Sequence, residues 1–180
     1  TDLYCTIFKP QDFDDTKNYP VVEEHYHGPQ IHYAPARFQQ SGGTTTGGLW
    51  AATFQALGFV HVHVDGRGHT NRSKTFRDHA RNNTDVDFVH DHVHAIKQLA
   101  ETRPWMDIDR GVGIYGHSHG GWGSARSMFV APDFYKVCVS SAGDHDDRVN
   151  HLWWSEKYYG LVDEFDYEHH SNQAHVENLT

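Results

Sequence analysis

The 180-residue sequence contains only two cysteines and no long apolar run. Cys5 and Cys138 are far apart, and each lies in a strand-like segment where a free, buried thiol is expected rather than a disulfide. No segment approaches the roughly 18 apolar residues of a membrane-spanning helix, and the amino terminus has neither part of a signal peptide. We therefore expect a soluble chain with no membrane partner, in a compartment that the sequence leaves open.

Positive charge is also scarce, with 15 Lys and Arg against 24 Asp and Glu and a formal net charge of −9. The basic residues form no stripe along the chain, and such a stripe is the usual footprint of a nucleic-acid-binding protein. We therefore expect no nucleic acid partner. The length suits one domain with a sizeable core, and no repeat or clear boundary divides residues 1–180.

Strand-like and helix-like segments alternate over most of the chain, which predicts an α/β fold with a mostly parallel sheet, helices on both faces and chemistry at the carboxyl ends of the strands. The best helix has an apolar stripe of Val86, Val89, Val93, Ile96 and Ala100, with Thr84 as its cap. The predicted strands are 3–9, 19–26, 59–65, 112–115 and 136–141, and the predicted helices are 49–57, 85–102, 122–130 and 148–159.

The most informative segment is 113–121, Gly-Ile-Tyr-Gly-His-Ser-His-Gly-Gly. A β-rich run leads into this Gly-x-Ser-x-Gly turn and a helix can follow it, which is the layout of a nucleophile elbow. The small Gly116 and Gly120 allow a turn sharp enough to hold Ser118 in a strained conformation above the sheet edge. The same turn places the backbone N–H of His119 at a helix N-terminus, where it can bind an oxyanion.

Four segments, in this order, resemble the catalytic domain of the prolyl oligopeptidase family, close to its dipeptidyl-peptidase and acylaminoacyl-peptidase branches. They are Tyr26-His27-Gly28-Pro29, Asp65-Gly66-Arg67-Gly68 with Arg72, Pro104-Trp105 with Asp109-Arg110, and the elbow. The resemblance spans most of the chain and implies an α/β-hydrolase fold. Arg67 and Arg72 match a loop of the family that we interpret as structural rather than catalytic.

The resemblance also implies a function and a set of site residues. It implies a serine peptidase that hydrolyses peptide bonds of short peptides through an acyl-enzyme on Ser118, without a cofactor. Tyr26 matches the family's tyrosine whose hydroxyl donates to the oxyanion, together with the backbone N–H of His119. Trp154 falls where the family has an aromatic wall of the substrate pocket. Because family members are often dimers, a homo-oligomer is a further partner to consider.

The catalytic aspartate and histidine of this fold follow the serine, each after a later strand. Two clusters after Ser118 contain these residue types: Asp144, His145, Asp146 and Asp147, and then His169, His170 and His175. None matches a triad position, so we interpret them as surface-loop residues. Segment 173–179 resembles the lead-in to the strand before the catalytic aspartate. We therefore expect an incomplete catalytic domain, truncated after its nucleophile half, that does not hydrolyse peptides by itself.

One departure from the family is Gly111, which lengthens by one residue the stretch between Asp109-Arg110 and Ser118. An extra residue beside a central strand shifts its register unless the loop absorbs it. We therefore expect any departure from the family at the start of this strand and not at the elbow.

Histidine is unusually frequent, with 17 residues, often spaced His-x-His. His61 and His63 occupy a predicted central strand, which should be apolar if both of its faces are buried. Two histidines on one strand face are spaced suitably for zinc, so a catalytically inactive, histidine-rich metal-binding protein is one alternative. The remaining pairs are His25 with His27, His117 with His119, and His90 with His92 and His94.

Because these pairs are spread over several elements, with no carboxylate or cysteine at a recognised ligand spacing, we expect no metal site. An esterase or lipase on the same fold is a second alternative. It would not explain the segments around Tyr26 and Trp154.

Overall fold

The computed structural model describes residues 1–34, 47–81 and 87–179. Within these ranges the strands are β1 (Tyr4–Phe8), β2 (Tyr19–Glu24), β3 (Val60–Asp65), β4 (Met106–Asp107), β5 (Val112–His117) and β6 (Tyr135–Ser141). The α-helices are α1 (Gly47–Ala56), α2 (Lys74–Asp78), α3 (Asp87–Glu101), α4 (His119–Val130), α5 (Leu152–Tyr158) and α6 (Tyr167–His170). Short 3₁₀ helices cover His79–Arg81 and Asn172–Asn178.

The strands form one mixed sheet in the order β1-β3-β2-β5-β6, and β4 pairs with the start of β2. Only β1 runs antiparallel to its neighbour among the described strands, which confirms the predicted mostly parallel sheet. The chain moves from β2 to β3 and then crosses back to β5 and β6, so the winding direction reverses between β2 and β5. Open α/β sheets bind ligands at the carboxyl ends of strands at such a reversal. Tyr26 follows β2 and Ser118 follows β5.

Helices cover both faces of the sheet. Helices α3 and α4 contact each other and lie on the face that carries Glu23, since His92 of α3 reaches its carboxylate. Helix α1 lies on the opposite face, where the rings of Phe54 and His61 stack with centroids 5.2 Å apart. Because successive strand residues point to opposite faces, Glu23 and Glu24 of β2 belong to different layers.

The apolar core lies between the sheet and α3 and α4. Val89 and Ile96 of α3 are fully buried there with Trp122 of α4, and this confirms the described part of the predicted apolar stripe. Burying each such aliphatic side chain stabilises the fold by about 1.5–3 kcal/mol. The predicted cap Thr84 and the first stripe residue Val86 lie outside the described residues.

Several short elements were not predicted. The helix expected over 148–159 spans only Leu152–Tyr158, and a 3₁₀ helix covers most of segment 173–179. Helix α2 has five residues, too few to show a helical period. Its one local signal is the N-cap Ser73, whose hydroxyl accepts a hydrogen bond from the N–H of Phe76 at 3.2 Å.

The extra residue at Gly111 is absorbed before β5. Gly111 has a φ of +93°, and a Cβ there would lie 2.2 Å from Cγ of Lys136. The register between β5 and β6 shifts between Val112 and Gly113, as in a β-bulge. Strand β5 therefore begins at Val112, as predicted, and the elbow keeps its position.

The two cysteines lie on the edge strands β1 and β6, and both are free. Burial raises the pKa of the Cys5 and Cys138 thiols to about 11 in each case, so both are protonated at neutral pH. Of the helices in the described ranges, none has the length and apolar character needed to cross a membrane.

Arg67 fastens the turn after β3 to helix α3. Its Nη2 and Nε donate to the two carboxylate oxygens of Asp91, each at 2.8 Å, and its backbone N–H donates to the same group at 3.0 Å. Burial alone would raise the pKa of Asp91, but the hydrogen bonds and charge of Arg67 outweigh burial and lower it. The guanidinium of Arg72 lies 4.6 and 4.5 Å from the ring centroids of Tyr4 and Phe76. Both arginines have structural contacts here.

Replacing Arg67 with Met should lower the free energy of unfolding at neutral pH by about 1 kcal/mol, because a half-buried carboxylate loses its partner. The pKa of Asp91 is lowered by folding, so this contribution is full above the unfolded pKa of about 3.9. It is lost as the pH falls through the lower, folded pKa. Urea unfolding of wild type and Arg67→Met at neutral and acidic pH measures both effects.

The matched control is Arg110→Met, since Arg110 is exposed and forms no hydrogen bond or ion pair with a described residue. It should change stability by less than about 0.5 kcal/mol. Equal losses in the two variants, or a loss for Arg67→Met that does not shrink in acid, would contradict this account.

Candidate active site

The turn between β5 and α4 holds Ser118 in a strained conformation at the surface. Ser118 has φ 59° and ψ −125°, an unusual backbone conformation for a residue with a side chain. Its N–H donates to the carbonyl of Ser141 at 2.8 Å, and its own carbonyl accepts from Gly121 at 2.8 Å. The residue is exposed, so its hydroxyl stands free of the strand and helix that fix its backbone. This is the geometry of a nucleophile elbow.

Two glycines make this turn possible. A Cβ at position 116 would lie 2.1 Å from the carbonyl oxygen of Gly120 and 2.6 Å from that of His25. A Cβ at position 120 would lie 2.2 Å from the same oxygen of His25. The end of β2, the end of β5 and the first turn of α4 therefore touch through their backbones, and only glycine fits between them.

Tyr26 lies beside Ser118 at the end of β2. Burial raises the pKa of Tyr26, and smaller hydrogen-bonding contributions from Gln30 and Ser118 act in the opposite direction, so the phenol is protonated at neutral pH. The N–H of His119 belongs to the first turn of α4, where N–H groups have no partner within the helix and the helix dipole favours negative charge. The arrangement offers two hydrogen-bond donors to an anionic oxygen near the Ser118 hydroxyl.

A cavity of about 260 Å³ opens next to the elbow. Gly28 and Pro29 line one side, and Trp154, Tyr158 and Tyr159 of the α5 region line the other. The rings of Trp154 and Tyr158 are 4.9 Å apart between centroids. The structure thus places Trp154 in the cavity wall, and the aromatic lining suits an apolar side chain of a ligand.

Comparison with known proteins agrees with this geometry. The model of the prolyl oligopeptidase family matches residues 48–180, which is about three quarters of the chain. The chain belongs to the prolyl oligopeptidase family. This confirms the family resemblance and the α/β-hydrolase fold that the sequence motifs predicted.

Two of the similar relatives of this family member are dipeptidyl peptidases. Dipeptidyl peptidase 8 of Mus musculus is 32% identical over 162 residues, which cover 90% of this chain and 18% of the mouse protein. Venom dipeptidyl peptidase 4 of Vespa velutina is 30% identical over 159 residues, covering 86% of this chain and 19% of the wasp protein. The chain therefore spans less than a fifth of the length of these two relatives.

A solved structure shows the same similarity in three dimensions. Dipeptidyl peptidase 4 of Porphyromonas gingivalis superposes with a TM-score of 0.84 and 26% sequence identity. The superposition covers 99% of this chain and 24% of the P. gingivalis chain.

In this prolyl oligopeptidase family member, the described histidines after the elbow do not form a triad with Ser118. Within the described ranges, no imidazole is hydrogen-bonded to the Ser118 hydroxyl. Nδ1 of the neighbouring His117 lies 3.0 Å from Oγ of Ser141, and Nε2 of His145 lies 3.2 Å from Oγ of Ser140. These contacts direct both rings to β6 rather than to the serine.

The expectation that the acidic and histidine clusters are surface loops is wrong for several of their members. Asp147 and His170 are almost fully buried, with Nε2 of His170 3.3 Å from the Asp147 carboxylate. Asp146 is buried as well, and it accepts hydrogen bonds from the guanidinium of Arg148 at 2.9 and 2.7 Å. These groups hold the segment after β6 against α5 and α6, which sequence spacing alone did not reveal.

Buried imidazoles form a continuous line behind the elbow. Nε2 of His119 lies 3.1 Å from Nε2 of His27, Nδ1 of His27 lies 3.2 Å from Nε2 of His25, and Nδ1 of His25 lies 3.3 Å from the Glu23 carboxylate. Burial lowers the pKa of His25 to about 4 and that of His27 well below its ordinary value. Both rings are therefore neutral at neutral pH.

The outer end of this line is charged. Oδ2 of Asp144 lies 3.4 Å from Nδ1 of His119, and although burial alone would raise the pKa of Asp144, the His119 interaction lowers it. The His119 side chain is thus held from two sides, and this fixes the residue whose N–H faces the site. The spacing of His25, His27 and His119 was noted in the sequence, but their contact across the elbow was not predicted.

Tyr158 is a pocket residue that sequence reasoning missed. It lies four residues after Trp154, so a helical reading of this segment places both rings on one face. That spacing was the signal available in the sequence.

Replacing Gly116 with Ala should destabilise the protein by at least about 3 kcal/mol, because the new methyl group meets backbone atoms that cannot move independently. Gly113→Ala in the same strand is the control. Its Cβ would lie 3.3 Å from Cγ2 of Val22 and 3.8 Å from the carbonyl oxygen of Val21, and should cost less than about 1 kcal/mol. Thermal or urea unfolding compares the two, and similar losses would show that the crossing of β2, β5 and α4 is not the constraint.

Proposed function

We propose that the protein is a serine peptidase that hydrolyses peptide bonds of short peptides through an acyl-enzyme on Ser118. The observation that carries the proposal is the elbow: an exposed serine at φ 59° between a central strand and a helix N-terminus, in a chain of the prolyl oligopeptidase family. The names of the similar dipeptidyl peptidases support a peptide substrate. The proposed domain covers residues 1–180 as a single, incomplete catalytic domain.

In the proposed reaction, Oγ of Ser118 attacks the carbonyl carbon of the substrate while a general base takes its proton. The tetrahedral oxyanion accepts hydrogen bonds from the Tyr26 hydroxyl and the N–H of His119. Collapse of this intermediate releases the amine, which carries away a proton, and leaves an ester on Ser118. Water then hydrolyses the ester through the same oxyanion site. No cofactor takes part in these steps.

The cavity beside the elbow is the proposed binding site for the substrate side chain next to the cleaved bond. Its aromatic wall, with Trp154 and Tyr158, suits a compact apolar side chain, and Arg77, Asp78 and Lys157 also line the cavity. The described histidines are not proposed as the general base, because none contacts the Ser118 hydroxyl. The family resemblance implies that an aspartate and a histidine after later strands fill these roles.

Labelling with a fluorophosphonate probe tests the nucleophile, in a polypeptide that includes the later strands implied to carry the aspartate and histidine. The probe reacts with an activated serine, so we expect one label per protein, located on Ser118 by peptide mass spectrometry. Ser118→Ala should abolish labelling, while the exposed Ser73→Ala, at the cap of α2, should leave it unchanged. Labelling at another serine, or none on the folded wild-type protein, would overturn the proposal.

Tyr26→Phe tests the oxyanion role. Removing one donor from an oxyanion hole lowers kcat by about 10²–10³ in comparable sites. In the same longer polypeptide we therefore expect a loss of that order with a short peptide amide substrate, and little change in KM. Tyr4→Phe, on the far edge strand, is the matched control and should retain full activity. A loss confined to KM would place the Tyr26 hydroxyl in substrate binding instead.

A further inference from the structure

A second group of polar residues lies on the α1 face of the sheet, away from the elbow. Glu24 of β2 and His61 and His63 of β3 are 5%, 0% and 0% exposed, respectively. Burying a carboxylate and two imidazoles costs several kcal/mol unless each group has partners. The group therefore requires a physical explanation.

The three side chains converge because of strand register. His61 and His63 are two residues apart and share a face of β3. The parallel pairing of Val22 with His61 and of Glu23 with Val62 brings Glu24 level with His63 on the same face. Nε2 of His63 lies 3.1 Å from Oε2 of Glu24, Nε2 of His61 lies 3.5 Å from the same oxygen, and all three atoms lie within 4.8 Å of one another.

Hydrogen bonds satisfy this group only in part, since Nε2 of His63 is hydrogen-bonded to Oε2 of Glu24 but the other ring nitrogens are not engaged. Neither ring nitrogen of the fully buried His61 has a hydrogen-bond partner among the described residues, and Nδ1 of His63 also has none. Nε2 of His61 points to a carboxylate oxygen at 3.5 Å without the geometry of a hydrogen bond. The lone pair on Nε2 of His61 therefore has no partner, and it can bind either a proton or a metal ion.

The ligand spacing matches that of a tetrahedral metal site. With metal–ligand bonds of about 2.0–2.1 Å, the donor atoms of a tetrahedral zinc site lie about 3.3 Å apart. The two distances from Oε2 of Glu24, 3.1 and 3.5 Å, lie on either side of this value. Two imidazoles and one carboxylate are also a ligand set that zinc uses in proteins. We propose that Glu24, His61 and His63 bind a Zn²⁺ ion between β2 and β3.

Aromatic rings enclose the proposed site. The ring of His63 lies 4.2 Å from Tyr33 and 5.3 Å from Phe8, and that of His61 lies 5.2 Å from Phe54, measured between centroids. Such an enclosed site excludes a peptide substrate, so the ion would have a structural role, joining two central strands. Its exchange would be slow, and loading would accompany folding.

The neighbouring cluster of Glu23, His25 and His92 has the same residue types, but its carboxylate is already satisfied, although Nε2 of His92 has no hydrogen-bond partner among the described residues. Oε1 of Glu23 lies 2.5 Å from Nδ1 of His92, and its Oε2 accepts a hydrogen bond from the Tyr135 hydroxyl at 2.6 Å. A carboxylate whose two oxygens are both hydrogen-bonded is a poor ligand for a cation. This cluster therefore serves as an internal control for the proposed site.

The test is metal analysis after refolding. The purified protein is unfolded in guanidinium with a chelator, refolded with or without Zn²⁺, desalted and analysed by elemental mass spectrometry. We expect about one zinc per wild-type protein, and below about 0.1 in the triple variant Glu24→Val, His61→Val, His63→Val. Valine suits a buried central strand, so the triple variant should fold, which circular dichroism verifies.

Thermal unfolding gives a second readout. At a zinc concentration 100 times the dissociation constant, the Tm of the wild-type protein should rise by about 5–10 °C, with no rise in the triple variant. This readout does not depend on peptidase activity, so it stands or falls separately from the proposed enzyme function.

Two control variants locate the ion. His92→Asn changes the neighbouring cluster while keeping a donor towards Glu23, and His90→Ala with His94→Ala removes an exposed helical pair. Both should retain the zinc and the Tm shift. Wild-type protein that binds no zinc on refolding, a triple variant that keeps it, or loss of zinc in either control would overturn the proposed site.

Discussion

The close approach of three backbone segments beneath the elbow is the constraint on which the site depends. The carbonyl oxygen of His25, at the end of β2, lies within 2.6 Å of where Cβ atoms of residues 116 and 120 would be. Glycine at both positions lets β2, β5 and α4 meet there. Since Tyr26 directly follows His25, and Ser118 lies between the two glycines, this single crossing brings the phenol to the serine.

The same region of the sheet carries buried charge where an α/β sheet is normally apolar. On the α3 side, Glu23 is held by His92 and Tyr135, and the imidazole line continues from it to His119 behind the elbow. Removing any partner would leave a buried carboxylate or imidazole unpaired, at a cost of several kcal/mol. On the α1 side, Glu24 has no comparable network, and this difference between the faces of one strand motivates the proposed zinc site.

Local patterns in the sequence were sufficient to predict the main strands, α3 and the elbow. Hydrophobic periodicity and the residue types of a turn depend only on residues that are close together in the sequence. The convergence of Glu24 on His61 and His63 was not predictable in this way, since it depends on β2 lying beside β3 in one register. The burial of Asp147 with His170 likewise depends on how the segment after β6 folds back. Gly111 shows the reverse case, in which a turn with positive φ before β5 accommodates the extra residue and leaves the site unchanged.

Alternation along β2 connects the two proposed sites. Glu24 points to the α1 face, and Tyr26, two residues later, reaches the elbow at the carboxyl edge of the sheet. An ion that joins Glu24 to β3 would restrain the end of β2, and hence the position of the Tyr26 hydroxyl relative to Ser118. Because a displacement of about 1 Å in a catalytic group can lower rates a hundredfold, such an ion would affect catalysis without touching the substrate. In this proposal, His61 and His63 would make the end of β2 rigid by binding the ion together with Glu24.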